Sequence, residues 1–311
     1  MLRWLTVLML VCAAGGAGAA GFPQTPEAVE AWSAAREARE AGVRPDTRSA
    51  VQWAAGSPSR TPLALVYLHG YSATRQEVSP LTEELARALG ANLYLTRLRG
   101  HGRDGEAMRE ATAEALREDA EEALAIGKLI GDRVVLVSTS TGGTLSTWLA
   151  AEHPDPALAA LVMISPNFAA RDRALYVLDW PVVGPLLLAW FGNDYRTWTP
   201  WNEAQARYWT WSYPYAVLPE LVRLMREVER IDKARITVPA LMIYSPKDKV
   251  VDTQAIETVY AQWGAGAKRL VPFEGSGDPS QHVLAGNALS PGSTATVEGL
   301  VRDFLGSIGI R

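Results

Sequence analysis

Val134-Val135-Leu136-Val137-Ser138-Thr139-Ser140-Thr141-Gly142-Gly143 is the stretch that decides how this chain folds. A run of β-branched and aliphatic residues ends abruptly in Ser-x-Ser-x-Gly-Gly, and Thr144 to Ala151 continues as a helical segment. This pattern predicts a buried strand, a sharp turn and a helix. The turn carries Ser140, with the small residues Ser138 and Gly142 two positions to either side. Small flanks are needed where a strained turn brings backbone close on both sides. The Ser140 hydroxyl is then held clear of the sheet, at a helix N-terminus whose dipole favours developing negative charge. Ser140 is therefore the candidate nucleophile.

Working outward, strands and helices alternate. Arg48 to Ala54, Leu63 to Leu68, Asn92 to Leu98, Leu158 to Ser165, Ala240 to Ser245 and Lys268 to Phe273 read as further strands. Helices are expected from Thr25-Pro26-Glu27 to about Gly42, from Pro80 to Leu89, as one long helix from Glu106 to Ile130, and as a closing helix through Val297, Val301, Phe304 and Ile308. The acidic run Glu118-Asp119-Ala120-Glu121-Glu122 reads as a solvated helix face. The fold class is α/β, a mostly parallel sheet covered on both faces, with ligands bound beyond the carboxyl ends of the strands. One block, about 167–235, breaks the rhythm and holds six of the eleven tryptophans. It is expected to be a helical cap inserted between two strands, with Glu220 to Ile231 its clearest helix.

The chain has 311 residues, 48% of them hydrophobic, and a net charge of −4. That is enough for one large domain with an insertion, and the charge offers no nucleic-acid surface. Four histidines are scattered and Cys12 is the only cysteine, which leaves no zinc or iron–sulfur spacing. Arg3, the apolar run Leu5 to Val11 and the small residues after it read as an export signal over 1–20, cleaved after Ala19 or Ala20. The protein is thus expected to be exported, periplasmic or secreted. An uncleaved anchor and lipidation at Cys12 stay open.

A serine hydroxyl needs a histidine to take its proton and an acid to orient that histidine. Among the histidines that follow Ser140, His153 reads as a helix end and His282 lies in a loop after the last strand. Asp248, in Ser245-Pro246-Lys247-Asp248-Lys249-Val250-Val251, ends the preceding strand; its competitors are Asp252, which reads as a helix cap, and Asp278, too near His282 in the same loop. The oxyanion of an acyl-transfer intermediate needs two fixed N–H donors, for which the amides of Thr141 and Tyr71 are placed. His69 and His101 read as loop-ordering residues. Arg75-Gln76-Glu77 reads as an ion pair that orders the loop after Tyr71.

The His-Gly-Tyr loop at 69–71, Arg-Gly-His-Gly at 99–102, the elbow at 138–143, the Asp248 segment and the His282 loop, taken in this order, resemble the α/β-hydrolase superfamily. The closest resemblance is to its capped monoacylglycerol-lipase-like and carboxylesterase-like branch, and it covers nearly the whole of 21–311. It departs at Ser138, where glycine is usual, and at Asp278-Pro279-Ser280-Gln281, where glycine commonly precedes the histidine. The resemblance implies a serine esterase acting through Ser140, His282 and Asp248 without metal or cofactor, on a small ester or lipid-like substrate. Thioesters, amides and peptides stay open as substrates, and a non-catalytic binding protein of the same fold is the rival of a different class. Epoxide hydrolases and haloalkane dehalogenases of this fold need an aspartate at the elbow, against which Ser140 argues. Trp180, Trp190, Trp198 and Trp209 are candidates for an aromatic pocket over Ser140; the bland alternative is that they form the core of the cap. An exposed patch on the cap would make a peripheral membrane contact.

Overall fold

The computed structural model describes residues 21–311, so the expected signal over 1–20, its cleavage site and Cys12 lie outside the described residues. Nine strands are found among them: β1 (Ala50–Gln52), β2 (Thr61–Leu68), β3 (Asn92–Leu95), β4 (Gly131–Thr139), β5 (Leu158–Ile164), β6 (Tyr195–Thr197), β7 (Ser212–Pro214), β8 (Ala240–Tyr244) and β9 (Lys268–Pro272). The helices are α1 (Pro26–Glu37), α2 (Leu81–Ala88), α3 (Ala113–Ile130), α4 (Thr141–Glu152), α5 (Val183–Phe191), α6 (Glu203–Tyr208), α7 (Leu218–Arg230), α8 (Thr253–Gln262) and α9 (Thr294–Ser307).

Seven strands make one sheet in the order β1-β3-β2-β4-β5-β8-β9, parallel throughout except for β1 against β3. The central strands are apolar on both sides because helices cover both faces. On one face Val66, Leu68, Val134 and Leu136 pack with Leu116, Ala120 and Leu145 of α3 and α4. On the other, Leu65, Tyr67, Val135 and Val137 pack with Leu81, Leu85, Val297 and Phe304 of α2 and α9.

The expected long helix from Glu106 is two pieces. Residues Glu106–Glu110 form a 3-10 turn, and α3 starts afresh at Ala113 because the Thr112 side chain accepts from Ala115 N–H and caps it. The acidic run on α3 is only partly solvated: Asp119 is buried and bonds Arg36 of α1 (2.6 Å) and Arg99 (2.9 Å). Between β5 and β8 the chain forms α5, α6 and α7 with short 3-10 turns, and also a two-stranded hairpin, β6–β7, that the sequence reading lacks. This segment lies over the carboxyl edge of the sheet. The Thr210 N–H donates to the Ser72 carbonyl (2.7 Å) and the Tyr71 hydroxyl to the Val217 carbonyl (3.3 Å).

A buried ion pair fastens α1 to the sheet. The Arg97 guanidinium, just past β3, donates to Glu37 (2.7 Å) and pairs with Glu40 (3.0 Å), and both Arg97 and Glu37 are buried. Removing one partner strands the other charge in the interior. Arg97→Ala is expected to cost about 3–5 kcal/mol of stability, read from the midpoint of denaturant unfolding; an unchanged midpoint would show that the pair contributes nothing.

Candidate active site

Ser140 stands between β4 and α4 with φ 53° and ψ −116°. A non-glycine residue reaches this region only when its neighbours hold it there. Here its N–H donates to the Ile164 carbonyl (3.0 Å), while its carbonyl accepts from Gly143 (2.9 Å) and Asn167 (2.9 Å). The flanking glycines are sterically required. A Cβ at Gly142 would lie 2.0 Å from the Leu68 carbonyl oxygen, and one at Gly143 would lie 2.7 Å from Pro166 Cβ. Ser138 is tolerated in place of glycine because its φ is negative; the left-handed turn is made by Ser140 instead.

The structure brings His282 and Asp248 together, with His282 Nδ1 2.8 Å from Asp248 Oδ2. Asp248 is fully buried, and its other oxygen accepts from the N–H groups of Val250 (2.7 Å) and Val251 (3.0 Å), which locks the carboxylate's orientation. With Nδ1 taken, Nε2 is the nitrogen left for a serine. The end of β5 ties the histidine to the elbow: Ile164 holds the Ser140 amide, and the Ser165 hydroxyl donates to the His282 carbonyl (2.7 Å). Asp252 caps α8 through Gln254 N–H, as its sequence position implied.

The insertion before His282 has its own logic. Asp278 is buried and accepts from the backbone N–H groups of Ser280 (3.0 Å), His282 (3.0 Å) and Val283 (2.9 Å). Gln281, at the position where glycine is common, takes φ 56° and is held by its side-chain amide on the carbonyls of Ser276 and Asp278. A glutamine thus performs the glycine's turn.

Burial of the His282 ring favours its neutral form, but the Asp248 carboxylate, supported by Glu77 and Asp278, outweighs burial and raises its pKa. The two other buried histidines go the opposite way. His69 accepts from Leu98 N–H at Nε2 (3.1 Å) and donates from Nδ1 to the Gly70 carbonyl (2.9 Å); burial depresses its pKa far below the usual value. His101 bonds the Arg99 carbonyl (2.8 Å), and burial brings its pKa to about 4. Both are loop-ordering residues, neutral at physiological pH. His153 caps the end of α4.

Among the described residues, no hydrogen bond engages the N–H of Thr141 or of Tyr71, which leaves both amides free to donate. The sequence reading missed Glu77. It makes no ion pair with Arg75; it is buried, and Oε2 accepts from Gly70 N–H (2.8 Å) and the Tyr67 hydroxyl (3.0 Å). A polar triplet in a loop carries no sign of this, because the two donors belong to β2 and the turn beyond it.

A cavity of about 470 Å³ lies under the inserted segment. Leu175, Leu178, Leu187, Phe191, Leu218 and Leu221 wall it, with Asp172 and Arg196 as charged neighbours. Its floor includes Asn167, whose N–H bonds the Ser140 carbonyl, and Val250, whose N–H bonds Asp248. None of Trp180, Trp190, Trp198 and Trp209 lines it. Trp180 and Trp190 project outward, Trp209 is buried against Ala73, Val283 and Leu289, and Trp198 packs beside it. The pocket's aromatics are Phe191 and Tyr215.

Residues 60–277 match the family Hydrolase_4, described as serine aminopeptidase, S33. A thermostable monoacylglycerol lipase of Bacillus sp. (strain H-257) is 30% identical over 218 residues, 69% of this chain and 82% of that protein. Among solved structures, one from a study of the metagenome-derived lipolytic enzymes LipS and LipT superposes with a TM-score of 0.67 at 23% identity, covering 84% of this chain and 98% of that one. The monoacylglycerol lipase of Paleococcus ferrophilus superposes with a TM-score of 0.57 at 14% identity, covering 84% of this chain and 98% of that one. The chain belongs to the serine aminopeptidase S33 family and is an α/β-hydrolase enzyme similar to monoacylglycerol lipases.

Proposed function

We propose that this enzyme is an exported serine esterase that cleaves carboxylic esters of small to medium apolar acyl groups through an acyl-enzyme on Ser140. The observation that carries the reading is the buried 2.8 Å bond between His282 and Asp248, on a loop tied by the Ser165 hydroxyl to the end of β5, the same strand end that holds the strained Ser140 elbow. Ser140 Oγ attacks the carbonyl and His282 Nε2 takes its proton. Asp248 holds the imidazole tautomer and stabilises the imidazolium. The Thr141 and Tyr71 amides bind the oxyanion. His282 returns the proton to the leaving alcohol, then activates the water that releases the acid. The relationship to a monoacylglycerol lipase supports an ester, and the leucine-walled cavity supports an apolar acyl chain. Export rests on the N-terminal sequence, Arg3 followed by the apolar run and small residues.

The outer face of α5 supports a peripheral membrane contact. Trp190 is 86% exposed and Leu186 66%, and Trp180 and Val182 project beside them. A contiguous apolar patch of this kind marks an interaction surface, and the aromatic-aliphatic composition suits a lipid interface.

Ser140→Ala is expected to lower kcat by about 10⁶-fold on p-nitrophenyl esters and to abolish labelling by a fluorophosphonate; residual labelling would refute the assignment. Across the acetate-to-palmitate series, kcat/KM of the native enzyme should rise by about fourfold per methylene (~0.8 kcal/mol each) until the cavity is full, then fall. A flat series would sink the cavity as acyl site, and turnover of aminoacyl amides but not esters would favour the peptidase activity that the family description names. His282 must be neutral to act as base, and its pKa is raised. The acid limb of kcat/KM is therefore expected above pH 6.5, the ordinary histidine value, with activity lost as pH falls through it; a limb at or below that value contradicts the charge arrangement. Trp190→Asp should reduce co-sedimentation with phospholipid vesicles while turnover of p-nitrophenyl butyrate in solution is kept, and undiminished co-sedimentation removes the α5 face as the contact.

A further inference from the structure

Glu77 is a buried ionisable group that the mechanism above leaves unused. Its Oε2 accepts from Gly70 N–H and from the Tyr67 hydroxyl, and that hydroxyl also bonds Thr139 Oγ1 at 3.0 Å. Burial raises the Glu77 pKa, while the Gly70 N–H, His282 and the Tyr67 hydroxyl favour its ionised form, and an ionised carboxylate only accepts. Tyr67 therefore donates to Glu77, and Thr139 donates to Tyr67. This relay of hydrogen bonds runs from the residue before the nucleophile to the residue before an oxyanion donor. Gly70 makes the approach possible: a Cβ there would lie 2.9 Å from Glu77 Oε1 and 3.2 Å from Ser140 Cβ, so carboxylate and nucleophile flank one point of the loop.

A neutral glutamine could accept from the same two donors at a smaller desolvation cost. What a carboxylate adds is charge. Among the described residues Glu77 forms no salt bridge; the cation that acts on it is His282 in its protonated state. The ionisable groups acting on the His282 ring are Asp248 from the end of β8, Glu77 from the loop after β2, and Asp278 from its own loop. Those acting on Glu77 are His282, Tyr67 and Asp278. Asp278 is occupied by three backbone N–H groups, and Asp248 holds Nδ1. Glu77 is the third carboxylate, and it comes from the oxyanion side.

We propose that Glu77 is a positioning residue of the hydrolytic reaction: its bond to Gly70 fixes the loop so that the Tyr71 N–H meets the oxyanion, and its negative charge supports the His282 imidazolium formed as Ser140 attacks. This rests on the triad reading above. The charge acts most strongly when His282 is protonated, which is the state of the transition state and not of the resting enzyme, so it contributes to kcat.

The test measures kcat and KM across pH for full-length Glu77→Gln and Glu77→Asp, beside Ser140→Ala. Glu77→Gln keeps an acceptor for Gly70 and loses the charge. It is expected to lower kcat about tenfold at unchanged KM and to move the acid limb to lower pH, because the imidazolium has lost a supporting charge. Glu77→Asp keeps the charge and is too short to reach Gly70; it is expected to lower kcat about ten- to a hundredfold with the acid limb of the parent enzyme. If one variant does not fold, the other still reads its half of the proposal. A Glu77→Gln enzyme with the parental kcat and pH profile, or equal losses in both variants with an unmoved limb, overturns the role of the charge, and a Glu77→Asp enzyme with the parental kcat overturns the role of the Gly70 bond. An inactive Ser140→Ala beside a parental Glu77→Gln refutes the role of the Glu77 charge alone, whereas an active Ser140→Ala overturns the triad and this proposal with it.

Discussion

The left-handed backbone at Ser140 is the constraint on which the rest of the site depends. It aims the hydroxyl off the end of β4, and it survives only because Ile164, Gly143 and Asn167 bond its peptide groups on both sides. Such a conformation costs about 1–3 kcal/mol at a residue with a side chain. Among the described residues, three others besides glycine share it: Ser72, Ser165 and Gln281. Ser72 follows Tyr71, Ser165 holds the His282 carbonyl, and Gln281 precedes His282. All four lie at the carboxyl edge of the sheet, next to a group assigned to the reaction. The apolar helices on both faces of the sheet supply the stability that this edge consumes.

The three buried histidines of the carboxyl edge show how environment divides one side chain among roles. His69 and His101 meet at a tilt with ring centroids 5.0 Å apart and bond only backbone, so burial leaves them neutral. His282 is buried as well, but the carboxylates Asp248, Glu77 and Asp278 act on it and raise its pKa instead. The difference is not depth. It is that Asp248, Glu77 and Asp278, on separate segments, act on one ring, and environments that push pKa values apart separate the candidate base from the scaffold.

Much of this was legible in the sequence, and the reason is local. The central parallel strands are apolar runs bounded by polar turns, and the elbow, the acid and the histidine each follow a strand in chain order. What escaped was set by single caps, by strands too short to show a period, and by contacts between distant segments. The α3 start at Thr112 broke an amphipathic pattern that ran on past it, because one side-chain cap outweighed the periodicity. The β6 and β7 strands are three residues each, too short to alternate. Asp119 sits within an acidic run that resembles solvent-exposed helix, yet Arg36 and Arg99 reach it from α1 and a loop. Glu77 is hidden for the same reason, its partners lying seven and ten residues back along the chain.

The tryptophans make the limit of sequence reading most concrete. Val183–Phe191 is apolar on every side, so its composition cannot say which side faces in. A helix of that kind is either fully buried or placed at an apolar boundary. Here Leu187 and Phe191 wall the cavity, while Leu186 and Trp190 stand in solvent. One helix thus gives the cavity part of its inner wall and carries Trp190, the most exposed large apolar side chain among the described residues. An apolar acyl chain leaving a lipid surface against the outer face would have only the thickness of one helix to cross before it met the leucines of the inner face. On the proposed reading the same nine residues, none of them charged, would suit both docking and acyl binding.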